Sequence, residues 1–211
     1  WKVKEIRNKM LYTLFCLFIF RLGSHIPAPF IDKTQIAKIF ESAGQSVLGF
    51  LDLMAGGSLS NMSIFAMNIY PYITASIIIQ LLTVAIPKLE ELAKEGEEGR
   101  RKLNSITRIT GVVLALIQSM GTVFGLYSQA VTATGFIQNS LIIITLVAGT
   151  SFLVWLGDRI TENGVGNGIS LIIFVGIVAR LPETLMKNFR LAKAGVTSWI
   201  AVIIYLLIMV A

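Results

Sequence analysis

Long apolar runs, separated by short charged or glycine-rich segments, make up most of the chain. The longest run without Asp, Glu, Lys or Arg covers 49 residues, from Ile109 to Gly157. A membrane-spanning helix needs about 20 apolar residues, so this run is too long for one buried helix and long enough for two spans with a turn. The pattern therefore predicts spans at 109–127 and 140–156.

The first predicted span, at 10–26, has an apolar run of 11 residues, Met10 to Phe20, and reaches the lower limit for a span, 17 residues, when it is counted through Arg21 to Ile26. It ends where Pro27 and Pro29 break the helix. Arg21 lies near this end, where a long basic side chain can extend to the membrane interface.

Three other apolar runs, at 64–86, 168–181 and 197–211, complete the predicted bundle. The first contains Pro71, which removes a backbone hydrogen bond and is tolerated in a membrane only where neighbours or water satisfy the freed carbonyl. The last run is apolar as far as Ala211 and predicts the start of a sixth span, so the chain is expected to be a fragment. The predicted fold class is all-α, a polytopic transmembrane helical bundle.

The predicted span at 64–86 is rich in polar groups. They are Asn68, Thr74, Ser76 and Gln80, and Pro71 lies among them. So many polar groups on one span indicate that it faces protein or an aqueous cavity.

A shorter apolar segment precedes this span. Residues 48–60 carry one charge, Asp52, and are too few to cross a membrane, while Gly56 and Gly57 separate them from the span at 64–86. A short apolar helix joined to a span by a glycine hinge is typical of a re-entrant or pore-lining segment. An interfacial helix lying on the lipid surface is an alternative of equal weight.

Basic residues predict the orientation of the bundle. The loop at 87–108 carries six Lys and Arg, and four more precede the first span. The positive-inside rule places both in the cytoplasm, together with the N-terminus. Lys187, Arg190 and Lys193 conflict with this topology because their loop is predicted to be outside. The topology is retained because the first helices usually dominate orientation.

Composition limits the chemistry that the chain can perform. It is 55% hydrophobic and 14% charged, against about 25% charged in an ordinary soluble domain, which excludes a water-soluble enzyme or a nucleic-acid-binding domain. The net charge of +6 therefore indicates membrane topology. His25 and Cys16 are the single histidine and cysteine, so no catalytic residue, metal site, cofactor or disulfide is predicted.

Ionisable residues are nearly absent from the second to fifth predicted spans. Ion-coupled transporters place such groups within their spans as relays. The pattern favours a passive conduit, and half of a secondary transporter remains the alternative.

Four motifs occur in a fixed order along the chain: RLGSHIP at 21–27, SIFAMNIYPYITASIIIQLLT at 63–83, GEEGRRK at 96–102 and ITENGVGNGIS at 160–170. Together they closely resemble the SecY family, which forms the channel of the bacterial protein-conducting translocon. The resemblance covers nearly the whole chain and the first half of a ten-span protein.

The resemblance implies a central pore-forming subunit without enzymatic activity in the bacterial plasma membrane. Such a channel passes secretory proteins across the membrane and releases membrane proteins sideways into the lipid bilayer. The implied partners are the membrane subunits SecE and SecG, the motor ATPase SecA, a translating ribosome, and the signal sequences and translocating polypeptides themselves.

The resemblance also implies site residues. Ile69 and Ile73 on the second span, with Ile169 and Ile173 on the fifth, match the family's pore ring, and each pair is spaced i, i+4 on one helix face. The second and third spans resemble one side of the lateral gate. A short plug helix that closes the resting channel is implied at Phe50, Leu51, Asp52, Leu53, Met54, Ala55, Gly56, Gly57, Ser58, Leu59, Ser60 and Asn61. Asn68 departs from the family, which commonly has glycine beside the ring.

Overall fold

The structure is a computed structural model that describes residues 4–31, 35–36, 57–126 and 135–193. The predicted all-α class is confirmed. The helices with described bounds are α1 (Lys4–Gly23), α2 (Tyr70–Ala85), α3 (Pro87–Lys94), α4 (Glu97–Gly121), α5 (Phe136–Asn163) and α6 (Gly168–Lys193). A π-helical turn, Thr122–Leu126, extends α4.

Helices that can cross a membrane are present in the described part of the chain. α4 with its π-helical turn, and α5, are each long and apolar enough, and α2 and α3 together qualify as one broken span bent by 102°. α6 contributes a shorter apolar stretch, Gly168–Ala179. α1 is less apolar because its 20 residues include Arg7, Lys9 and Arg21.

The structure corrects the predicted start of the second span. Residues 64–69 form turns, and α2 begins only at Tyr70. Pro71 therefore lies in the first helical turn, where an amide has no partner within the helix, so the expected loss of a hydrogen bond does not arise. α2 ends because Ile86 precedes Pro87 and is extended (φ −111°, ψ 113°), as a residue before proline prefers.

α1, α4 and α5 begin before their predicted spans. α1 begins at Lys4 and ends at Gly23, whereas the apolar run covered 10–26. α4 and α5 start before 109 and 140, and α5 also ends after 156. Charged residues end the apolar part of a span, but they are good helix formers, and the helix continues.

α6 is longer than the predicted fifth span at 168–181. It continues through Pro182 to Lys193, over residues that were expected to form an outer loop. The fixed φ of proline is itself helical, so the helix can continue at the cost of one hydrogen bond and a local steric clash.

Two predicted elements lie largely outside the described residues. They are the sixth span at 197–211 and the plug at 50–56. The described end of the plug, 57–61, forms turns instead of the expected helix, and Gly57 has a φ of +85°.

Candidate functional site

Residues 57–69, here called the link segment, are non-helical backbone inside a helical bundle. They form a series of turns that starts within the predicted plug, at residue 57, and ends at α2, and most of them are buried. Irregular backbone at membrane depth is tolerated only where it is buried in protein or lines a cavity. The link segment is therefore a candidate functional element.

The polar backbone groups of the link segment are paired with the loop after α1. The Ala28 amide donates to the Met62 carbonyl (2.8 Å), and the Ile64 amide donates to the Ile26 carbonyl (3.0 Å). Within the segment, the Ser63 amide donates to the Ser58 carbonyl (2.9 Å). These bonds hold the segment in one conformation without a helix.

The predicted ring residue Ile69 lies where the link segment becomes α2. It is the N-cap of α2 and is 1% exposed. Its carbonyl accepts hydrogen bonds from the amides of Tyr72 and Ile73, both at 3.0 Å. Ile73 follows one turn later and is half-buried, so the first pair shares one helix face as expected.

The second predicted pair lies at the start of α6. Ile169 packs against the same apolar cluster as Ile69 and Ile73, a cluster that also contains Phe20 and Leu153. The structure thus brings three of the four predicted ring residues together.

The fourth predicted ring residue, Ile173, is half-buried one turn further along α6. It is not part of this cluster as the described residues define it.

The first turn of α6 is held by polar contacts that fix Ile169. The Gly168 amide donates to Thr161 Oγ1 (2.9 Å), and the Ser170 amide donates to Asn167 Oδ1 (3.1 Å), as at a capped helix N-terminus. The absence of a side chain at Gly157 lets Ile169 approach α5.

A polar surface continues along α2 from the ring pair. Residues 69, 73, 76, 80 and 83 are spaced three or four apart and so follow one helix face. The side chains of the last three line a cavity of about 430 Å³, together with side chains of α4 that include Arg100, Asn104 and Thr107. Part of the polar surface expected on this span therefore faces a cavity.

The described plug residues pack away from the ring. Ser58 and Leu59 are buried, and Leu59 belongs to a second apolar cluster with Met62 and Ile142. Ile69, Ile73 and Ile169 pack in the first cluster instead, so the link segment contributes residues to both clusters.

Asn68 has a structural role that the sequence did not reveal. Its φ is +49°, in the left-handed region that glycine adopts freely and asparagine tolerates. Asparagine is therefore compatible with the backbone next to Ile69.

Sequence reasoning also missed Phe65, which is 3% exposed in the middle of the link segment. It reads as one more apolar residue in a long run, and no sequence signal distinguishes it.

The predicted ring residues that the structure brings together pack in an apolar cluster. Among the residues that the structure describes, no group of three or more His, Cys, Asp or Glu side chains could hold a metal ion. A ring of stiff β-branched side chains can instead form a constriction that excludes water and ions by dewetting.

Comparison with solved structures places this bundle among the multi-pass membrane proteins with the protein-conducting-channel fold. A protein-conducting channel matches with a TM-score of 0.61 at 20% identity, over 92% of this chain and 43% of that chain. Sec61 from the canine ribosome-channel complex of the endoplasmic reticulum matches with the same TM-score, identity and coverage.

Sequence comparison gives the family. The SecY family model matches residues 63–211. Protein translocase subunit SecY of Bacillus licheniformis is 47% identical over 217 residues, which cover 100% of this chain and 50% of the relative. SecY of Escherichia coli (strain K12) is 46% identical over 196 residues, which cover 90% of this chain and 44% of the relative.

The chain therefore belongs to the SecY family, and it spans about half the length of the curated relatives it matches.

Proposed function

We propose that this chain forms part of the wall of a passive polypeptide-conducting channel, with Ile69, Ile73, Ile169 and Ile173 in its constriction. The observation that carries the proposal is the packing of Ile69, Ile73 and Ile169 in one apolar cluster beside buried non-helical backbone. The rest of the constriction would come from the part of the relatives' length that this chain does not span.

The constriction would seal the channel without a preference for the sequence of the chain that passes through it. Isoleucine side chains are stiff and apolar, so they seal against ions when together and offer no specific bond to a passing chain. The polar surface of α2 beyond the ring would keep the adjoining cavity wet. The channel would perform no bond chemistry, and SecA or a translating ribosome would supply the energy.

Residues 50–61 would act as the plug of the resting channel. A related SecY structure is described as one in which the plug domain stabilises the closed state and maintains a membrane seal; it matches with a TM-score of 0.60 at 22% identity, over 92% of this chain and 42% of that chain. In this chain the buried turns of the link segment would hold the end of the plug.

The proposed setting is the bacterial plasma membrane, with the N-terminus in the cytoplasm. SecE and SecG would be the membrane partners, and signal sequences would enter the lipid bilayer through a gate formed partly by α2 and α4. The four basic residues before the first apolar run and the six at 87–108 support this orientation.

Crosslinking in the full-length channel tests the constriction. Single cysteines replace Ile69, Ile73, Ile169 or Ile173 in a Cys16→Ser background, and a secretory chain with a photoreactive or thiol-reactive probe is arrested in transit. We expect crosslinks from these positions, while Ile117→Cys on the exposed face of α4, where Ile117 is 57% exposed, gives none. An arrested chain that crosslinks to none of the four would overturn the proposed pore.

A second measurement tests the plug. Deletion of residues 50–60 should leave the channel folded and raise its resting ion conductance in planar bilayers. An unchanged conductance would count against a plug at this position and leave the crosslinking result unaffected.

A further inference from the structure

The aromatic ring of Phe65 lies between two other rings. It stacks on Phe20 of α1, with centroids 6.2 Å apart and planes at 17°, and on Phe152 of α5, with centroids 5.9 Å apart and planes at 5°. Stacked aromatic pairs stabilise a contact beyond the area they bury. Phe65 therefore fixes the link segment to α1 and α5 at once.

Two glycines give this ring its space. A Cβ at Gly23 on α1 would overlap the Phe65 ring. A Cβ at Gly149 on α5 would overlap the Ile64 carbonyl oxygen and lie 3.3 Å from Cδ1 of Phe65. The slot thus admits the ring and the backbone of the link segment in one position.

A short, hydrogen-bonded stretch connects Phe65 with Ile69. The Phe65 amide donates to Ser63 Oγ (3.2 Å), and its carbonyl accepts the Asn68 amide (2.9 Å). Asn68 then has a φ of +49°, and Ile69 caps α2. With so few residues in a tight turn, a displacement of Phe65 would displace Ile69.

We infer that Phe65 is a positioning residue, which holds Ile69 buried in the closed constriction. This inference rests on the proposed function, because it assigns Phe65 to the same constriction. Phe65 would act through the turn and not by contact with a translocating chain, since both faces of its ring are stacked on Phe20 and Phe152. Its role would be to set the resting position of Ile69 through the turn that joins them.

The test is the accessibility of position 69 in the resting full-length channel in membranes. An Ile69→Cys variant is treated with a water-soluble maleimide, and labelling is read by peptide mass spectrometry with Phe65 intact or changed to Leu. With Phe65 intact, labelling should be slow, because Ile69 is 1% exposed. With Phe65→Leu, we expect labelling about tenfold faster, as the loss of one to two aromatic pairs would allow.

Internal and matched controls separate positioning from a general loss of packing. Cys16, the native cysteine, is 3% exposed in the same apolar cluster and should remain slowly labelled. Phe18→Leu removes an aromatic ring that is 59% exposed on α1 and should change nothing. Gly23→Ala, which intrudes on the slot while keeping Phe65, should accelerate labelling at position 69 as Phe65→Leu does.

The outcomes distinguish this inference from the proposed function. Unchanged labelling at position 69 in both Phe65→Leu and Gly23→Ala would overturn the positioning role. Equal acceleration of labelling at position 69 and at Cys16 would also overturn it, because that result would show a general loosening of the apolar cluster and no specific effect on position 69. If Ile69→Cys never crosslinks to an arrested chain but Phe65→Leu still accelerates its labelling, the proposed constriction is wrong. The role of Phe65 in holding the link segment is then supported all the same.

Discussion

Arg108 and Asp158 form an ion pair between α4 and α5, with 2.7 Å from Nη2 to Oδ2, although 49 uncharged residues lie between them. They are the two charges that flank the longest apolar run. The run folds as two antiparallel helices, so its two flanks meet at one edge of the bundle. The Asp158 side chain is 24% exposed and that of Arg108 is 51% exposed.

Loss of this ion pair should destabilise the α4–α5 hairpin. Arg108→Gln leaves the half-buried Asp158 carboxylate without its partner, and we expect a loss of about 1–2 kcal/mol, between the values for exposed and buried pairs. Thermal unfolding in detergent micelles measures the effect. Lys94→Gln removes an exposed pair with Glu90 and should leave the unfolding temperature nearly unchanged. Equal effects of the two substitutions would contradict a special role for the interhelical pair.

A hydrogen bond from the loop after α5 to α1 should be necessary for the position of that loop. Thr13 Oγ1 accepts the Val165 amide (3.1 Å) and donates to the Lys9 carbonyl (2.9 Å). Thr13→Val keeps the shape of the side chain but removes this bond, and because Val165 is 47% exposed, we expect a cost of about 0.5–1.5 kcal/mol.

Unfolding midpoints and limited proteolysis of residues 163–168 would measure the effect of Thr13→Val. Thr13→Ser should retain most of the stability. Thr145→Val should lose little, because the Thr145 hydroxyl donates only to Leu141 on its own helix. A Thr13→Val protein as stable as the original would show that this bond is dispensable.

A side chain at Gly168 should separate α5 and α6 at their hairpin. A Cβ there would overlap the Gly157 carbonyl oxygen and the Cβ of Ile160. We expect Gly168→Ala to destabilise the protein by roughly 1–3 kcal/mol, as overpacking does. Gly121→Ala is the matched control, because no described atom lies within 4 Å of its added Cβ. The prediction fails if the two alanines give the same unfolding temperature.

Substitutions of Asn68 should reveal the strain of its backbone. Asn68→Gly and Asn68→Ala both remove the amide side chain, but only alanine places a Cβ in the left-handed conformation at φ +49°. Alanine should therefore be less stable than glycine by about 1 kcal/mol. Chemical denaturation of both variants measures this difference, and equal stabilities would argue against backbone strain at this position.

The sequence by itself determined the class of the protein and the shared helix face of one predicted pair of residues. Uncharged runs of 20 residues or more have few stable environments other than a membrane, so the bundle followed from them. The i, i+4 spacing placed Ile69 and Ile73 on one face. The sequence did not show where each helix ends. Hydropathy indicates which residues can lie within the apolar part of a membrane, whereas a helix ends where its backbone hydrogen bonds end.

Only the tertiary structure decided the conformation of the link segment, residues 57–69. Its apolar residues continue the pattern of a span, and a buried turn and a buried helix have the same composition. The turns exist because Phe65 fits between rings of α1 and α5, Gly149 makes room for the Ile64 carbonyl, and the loop after α1 pairs with the backbone. These contacts join positions that are far apart in the chain, so they cannot be predicted from the local sequence.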